Sequence, residues 1–219
     1  MNDNQSLLTV FIGFLCIFLI GFMIKTIRQY YIFKASFYTE IYSGFFEYMV
    51  KHGNLRRMSK SYWLENELGE HRLMFQITKS QTDDIIQPYI LILLSSGLYV
   101  IQTYNESAHY VCNKQKMKKI TENENHEKIV QNLPFPISQF ESFQNHFQDL
   151  IGEKDIPMKY MMLFTDLSQL DLSSQTIPFV QKHQFISTLK LQHTTSKCIF
   201  EQGDIERIYH LFQQKVLSL

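Results

Sequence analysis

Residues Leu7 to Ile24 read LLTVFIGFLCIFLIGFMI, an apolar run of 18 residues without a charge. At about 1.5 Å of rise per residue a helix of this length covers roughly 27 Å, close to the hydrocarbon thickness of a bilayer. A core helix of a soluble domain would keep a polar face, and this run has none. A cleaved signal peptide would carry a basic leader and a small-x-small cleavage site. Here MNDNQS precedes the run and KTIRQYYIFK follows it directly. The sequence therefore predicts an uncleaved transmembrane helix over 7–24 behind a short extracytoplasmic tail, 1–6. Lys25, Arg28 and Lys34 follow the span and nothing basic precedes it, so the positive-inside rule puts the remainder in the cytoplasm. Tyr30 and Tyr31 suit the headgroup boundary. Gly13 and Gly21, eight apart, do not make a GxxxG contact motif.

The remainder is large enough for one domain. Lys plus Arg and Asp plus Glu are 21 each in the 219 residues, so formal net charge is zero. That argues against a protein that coats nucleic acid non-specifically, which needs excess positive charge. With 45% hydrophobic and 14% aromatic residues the chain can bury a core. Its three cysteines cannot form a disulfide framework, and in the cytoplasm Cys112 and Cys198 would be reduced thiols.

Apolar periodicity predicts a helix over 35–52, with Phe37, Ile41, Phe45, Tyr48 and Met49 on one stripe, stopped by Gly53-Asn54. A short helix is expected around 61–68 and a strand at 73–78. The clearest hairpin is YILILL (89–94), the turn Ser95-Ser96-Gly97, and LYVIQTY (98–104). An apolar run of this kind belongs in mid-sheet with both faces covered. HYVCN (109–113) reads as a strand and 114–128 as a polar loop. Residues 138–151 form an amphipathic helix with Ser138 as its cap, lined by Phe140, Phe143, Phe147, Leu150 and Ile151. MKYMMLFT (158–165) is a buried strand, 166–174 a loop or helical turn, 177–191 a helix or helix plus loop, and 197–202 a short strand. Asp204 caps a terminal helix. The order predicts a mixed α/β fold around one central sheet.

Motifs for chemistry are sparse. The chain has no P-loop, no GxGxxG and no GxSxG. Its eight histidines show no i, i+4 pair and no cysteine at finger spacing, so no metal or cofactor is expected. Two basic clusters stand out: Arg56, Arg57 and Lys60, and Lys114, Lys116, Lys118 and Lys119. Either is a candidate for anionic contact with lipid headgroups or nucleic acid. The second is offset by Glu122, Glu124 and Glu127, as a solvated loop would be.

QPYILILLSSGLYVIQTYN (87–105), FPISQ (135–139) before a helix, YMMLFTD (160–166) and CIFEQGDIERIYHLF (198–212) resemble, in order, the elements of the NERD (nuclease-related) domain family. The resemblance runs over about residues 70 to 215. It implies a restriction-endonuclease-like fold for 70–219, with 25–69 a juxtamembrane helical region. In that family an Asp and a Glu hold a divalent ion and a Lys aids the attacking water, since Mg²⁺ prefers charged oxygens and the phosphodiester charge must be offset. The Asp position falls on Tyr89, the Glu position on Gln102 and the Lys position on Tyr104; Asn105 is retained. The resemblance thus implies a degenerate nuclease site. Asp83, Asp84, Glu40 and Glu47 are the carboxylates that could replace lost ligands. The expected function is a membrane-anchored, non-catalytic binding or scaffold module, with the bilayer and a protein as partners. The alternatives are a nuclease with relocated ligands, a nucleic-acid binder, and an unrelated single-pass assembly subunit.

Overall fold

The computed structural model describes residues 3–52, 54–77, 88–113, 116–153, 156–172 and 177–217. Its first element, α1 (Asp3–Ala35), is one unbroken helix of 33 residues. Within it Phe11–Ala35 is long and apolar enough to cross a membrane, and the apolar window is not covered by the rest of the chain. That exposure removes the core-helix reading. The helix does not end in solvent: Phe33 in its last turns is buried, as is Phe37 just after it.

The continuous helix expected over 35–52 is instead two, α2 (Tyr38–Ile41) and α3 (Phe45–Lys51), parted by an extended Tyr42. The break has a cause. Tyr42 turns inward and donates its hydroxyl to the Met58 carbonyl at 3.1 Å. Glu47, in the first turn of α3, reaches back to the Ser43 amide and hydroxyl, both at 2.7 Å, in the manner of a capping box. After α4 (Leu55–Met58), α5 (Tyr62–Leu68) begins at Ser61, whose hydroxyl accepts from the Leu64 amide.

Among the described residues nine strands follow: β1 (His71–Ile77), β2 (Pro88–Leu94), β3 (Gly97–Tyr104), β4 (His109–Cys112), β5 (Met117–Glu122), β6 (Lys128–Leu133), β7 (Met158–Phe164), β8 (Gln169–Leu172) and β9 (Phe179–Gln181). The helices among and after them are α6 (Pro136–Ile151), α7 (Phe185–Thr194) and α8 (Gln202–Leu217). The main sheet has the order β1-β2-β3-β7-β9. Its first three strands form an antiparallel meander, and β7 and β9 add in parallel. A second sheet, β6-β5-β4-β8, is built from the stretch between β3 and α6 plus β8. The fold is mixed α/β with mixed sheets.

The polar loop expected at 114–128 is thus largely β5 and the start of a hairpin with β6. Hydrophobic period gave no signal there because β6 is exposed almost throughout, Ile129 and Val130 included. The turn is set by Asn123, whose side-chain oxygen accepts from the amides of Asn125 and Glu127. Other local expectations change as well: 177–191, expected as a helix or helix plus loop, contains the strand β9 before α7 begins at Phe185. Residues 166–174 supply β8, paired with β4. Residues 197–201 form no strand; Ile199 and Phe200 donate to the Ser95 carbonyl and hook onto the β2–β3 turn. Ser138 caps no amide but donates to the Phe135 carbonyl, because α6 opens at Pro136, which has no N–H to satisfy. Asp204 sits inside the first turn of α8 and accepts from the Glu201 amide.

The main sheet separates two apolar cores. Ile90, Ile92, Leu94, Tyr99, Ile101, Met161 and Leu163 face Phe33, Phe37, Tyr48, Leu64, Phe185 and Leu189 of the helices around α1, α3, α5 and α7. Tyr89, Leu91, Leu93, Leu98, Val100, Tyr104, Tyr160, Met162 and Phe164 face α6, α8 and the second sheet. This is the period-two alternation of a strand covered on both faces. Gly97 is required at the turn: its φ is +128°, and a Cβ there would lie 2.6 Å from the Pro157 carbonyl oxygen.

Buried His71 locks the helical layer to β1. Its Nε2 accepts from the Ser61 amide at 3.1 Å, so Nδ1 carries the proton and donates to the Gly69 carbonyl at 3.0 Å. Burial holds its pKa below the ordinary 6.5. Two outcomes are expected. Gly97→Ala lowers stability by about 2–4 kcal/mol, combining a disfavoured φ with overpacking, read by denaturant unfolding. Because the folded imidazole resists protonation, stability is full above the unfolded value of 6.5 and falls as pH drops below it towards the folded pKa. In unfolding midpoints measured from pH 7 to 5, His71→Gln reduces that slope without abolishing it, since burial and Lys159 lower His193 in the same direction.

Candidate functional site

The hairpin register sets Tyr89 directly across from Gln102. Gln102 and Tyr104 alternate onto the same sheet face, and β7 runs beside them in parallel. The structure therefore brings Tyr89, Gln102 and Tyr104 together on one side of the hairpin. Asn105, just past the end of β3, is exposed.

The side chains close the space between them. Gln102 is completely buried. Its Nε2 donates to Gln139 Oε1 on α6 at 3.0 Å, and its Oε1 accepts from the Tyr160 hydroxyl on β7. Tyr160 has one proton to give, and it goes to Gln102. A chain Tyr160–Gln102–Gln139 thus joins β7, β3 and α6, with both polar atoms of Gln102 paired inside it. Aromatic rings fill the rest. Tyr104 stacks on Phe164 with centroids 4.7 Å apart, Tyr89 meets Phe143 at 5.0 Å and Phe140 stacks on Tyr160 at 4.8 Å. The Tyr104 hydroxyl points to the Met117 sulfur at 3.9 Å.

The electrostatics follow. Burial pushes the hydroxyls of Tyr89, Tyr104 and Tyr160 upward, away from phenolate formation. These groups are neutral at any physiological pH. They offer a divalent ion no charged oxygen, and the one amide oxygen among them already accepts a hydrogen bond. Among the described residues no three His, Cys, Asp or Glu are grouped to hold a metal.

Of the four replacement carboxylates, Asp83 and Asp84 lie outside the described residues. Glu40 accepts from the Thr39 hydroxyl at 3.2 Å. Glu47 differs from the solvated helix residue that sequence suggests, for its carboxylate is almost completely buried. It accepts from Lys51 Nζ at 2.6 Å and the Tyr62 amide at 2.9 Å on one oxygen, and from Ser43 on the other. Burial works against its charge, but these donors together hold its pKa below the ordinary value. Lys51 completes the arrangement by donating to the Lys60 carbonyl and lying 4.2 Å above the Tyr62 ring. Glu47 belongs to the helical layer, across the main sheet from Gln102. It is a structural hub, joining α3 to α5.

Among the described residues Lys116, Lys118 and Lys119 do not share one face. Lys114 lies outside the described residues. Lys116 is exposed beside an open pocket lined with Met117, Asn132 and Leu133. Lys118 and Lys119 are successive residues of β5, so they point to opposite faces, and Lys119 is ion-paired with Glu106. Arg57 is exposed, and Lys60 pairs with Glu70 at 3.3 Å.

Compared with family models, curated proteins and solved structures, the chain has no match. Of the residues that complete the polar chain, Gln139 entered the sequence reading only as the end of FPISQ and Tyr160 only as the start of YMMLFTD, neither as a site residue. Period two along MKYMMLF would place Tyr160 with Met162 and Phe164 on the Gln102 side of the sheet, and that is the available signal.

Gln102→Leu takes away the acceptor of the buried Tyr160 hydroxyl and the donor to the half-buried Gln139 amide oxygen. The expected cost is about 2–4 kcal/mol of unfolding free energy. Tyr104→Phe, which loses only a weak contact to sulfur, costs under about 1 kcal/mol in the same denaturant titration.

Proposed function

We propose that this protein is a membrane-anchored, NERD-like module of restriction-endonuclease-like architecture. Its former metal site has become part of the core, and it works by binding a protein at the cytoplasmic face. The observation that carries the non-catalytic reading is the state of Gln102: fully buried, both of its polar atoms engaged by Gln139 and Tyr160, and flanked by tyrosines at the Asp and Lys positions. A phosphodiester and its cation would have to displace a closed hydrogen-bond chain and gain no charge in return.

The order of elements supports the fold reading. An apolar hairpin, a helix opened by Pro136 with Gln139 on it, and a strand ending in Phe164 follow one another as the resemblance requires, with β7 beside β3. The continuity of α1 supports a retained anchor, because the apolar run passes without a break into residues that enter the domain core. Lys25, Arg28 and Lys34 favour a cytoplasmic domain. Zero net charge and the opposed directions of Lys118 and Lys119 favour a protein partner over nucleic acid. A nuclease with relocated ligands is the weaker reading, since both oxygens of Glu47 are already occupied.

The deciding experiment uses full-length protein in lipid nanodiscs. Calorimetric titration with magnesium and with manganese gives no saturable heat, and fluorescent DNA and RNA remain intact in the same samples. Stoichiometric metal heat together with cleavage that disappears in Asp84→Asn would overturn the proposal in favour of relocated ligands.

A further inference from the structure

Helix α3 lies against the end of α1. The Phe45 ring meets Tyr30 at 5.3 Å and Phe33 at 5.9 Å, and Tyr48 packs on Phe33 at 5.1 Å. The outer side of the same helix carries Phe46 and Val50, four residues apart, which are 78% and 60% exposed. Next to it α5 presents Tyr62, 67% exposed, and Trp63, 40% exposed. The Glu47 carboxylate, bonded to both Lys51 and the Tyr62 amide, fixes these two helices side by side. The result is an aromatic and aliphatic ledge beside the end of the apolar helix.

We propose that this ledge, formed by Phe46, Val50, Tyr62 and Trp63, lies in the headgroup layer of the bilayer leaflet from which α1 emerges, so that the domain rests on the membrane. The inference depends on the reading of α1 as a retained anchor and adds a second contact to it. The occupant is the lipid surface because the ledge continues the lipid-facing surface of α1. Tyr30 is fewer than two turns beyond Ile24, Phe45 touches Tyr30, and the Phe46 ring is 6.3 Å from that of Phe45. Trp, Tyr and Phe beside a hydrocarbon boundary bury an apolar body while any polar tip stays wet. Lys25, Arg28 and Lys34, all exposed, supply the matching charge for anionic headgroups. Phe33 and Phe37 are buried in the domain, so no flexible joint lets the ledge swing away.

Trp63 is the only tryptophan in the chain, which makes the test direct. Full-length protein is reconstituted into vesicles of phosphatidylcholine and phosphatidylglycerol, with or without brominated acyl chains. A second probe is Phe46→Trp in a Trp63→Phe background, a change at an exposed site. Brominated lipid is expected to reduce emission from the Phe46→Trp probe about two-fold or more and from Trp63 to a lesser degree, with both shielded from acrylamide. Flotation of the same vesicles after an alkaline wash reports on the anchor separately. Protein that floats but whose tryptophans ignore brominated lipid would overturn the ledge and leave the anchor standing. Shielding from acrylamide in that case would assign the ledge to a protein, a second copy included. Protein that no longer floats would overturn the anchor reading itself.

Discussion

A sheet whose central hairpin is apolar on every turn of the pleat must be covered twice. Strands β2 and β3 impose that demand here, and most of the remaining structure answers it. One cover is α6, α8 and the second sheet; the other is the helical layer that ends α1 and continues through α7. Each fully buried Leu or Ile contributes about 1.5–3 kcal/mol relative to exposure, so neither cover can be removed without exposing much of the stabilising surface. The anchor-like helix is consequently part of the fold. Its last turns supply Phe33 to a core that also contains Leu189 near the other end of the chain.

The same demand explains the state of the hairpin positions that the resemblance links to metal. A metal-binding carboxylate pair needs solvent or counter-charge nearby. On this hairpin the surrounding positions are occupied by Phe140, Phe143, Phe147 and Phe164, and a polar residue persists only where each atom finds a partner. Gln102 meets that condition. Tyr104 meets it weakly through Met117. The polar chain therefore helps to specify how α6 sits on the sheet, because the buried Gln102 Nε2 finds its acceptor in Gln139.

Sequence made the hairpin, the apolar helix, the amphipathic α6 and the strand β7 legible, since each has a strong period or an unbroken apolar run. Residues 114–128 were not legible as β5 and β6, because an exposed edge hairpin carries no burial signal and its turn depends on the Asn123 side chain. The split between α2 and α3 was hidden for the opposite reason. Local propensity favours one helix, and the inward Tyr42 with the Glu47 cap outweighs it. At the candidate site, sequence supplied Tyr89, Gln102 and Tyr104, and period two put the last two on one face. What it could not supply was the third dimension: which atoms of α6 and β7 would lie over Gln102.

The docking of α1 also has a mechanical side. A helix of 33 residues is a rod of about 50 Å, and this one is gripped at a single end. Such a rod is a cantilever. Tilt or rotation along its free length reaches the clamp at Phe33 as torque, and from there the aromatic contacts through Phe45 and Tyr48 carry it into the helices that cover one face of the sheet. No slack segment separates rod from clamp, since α1 runs unbroken to Ala35 and Phe33 is already in the core.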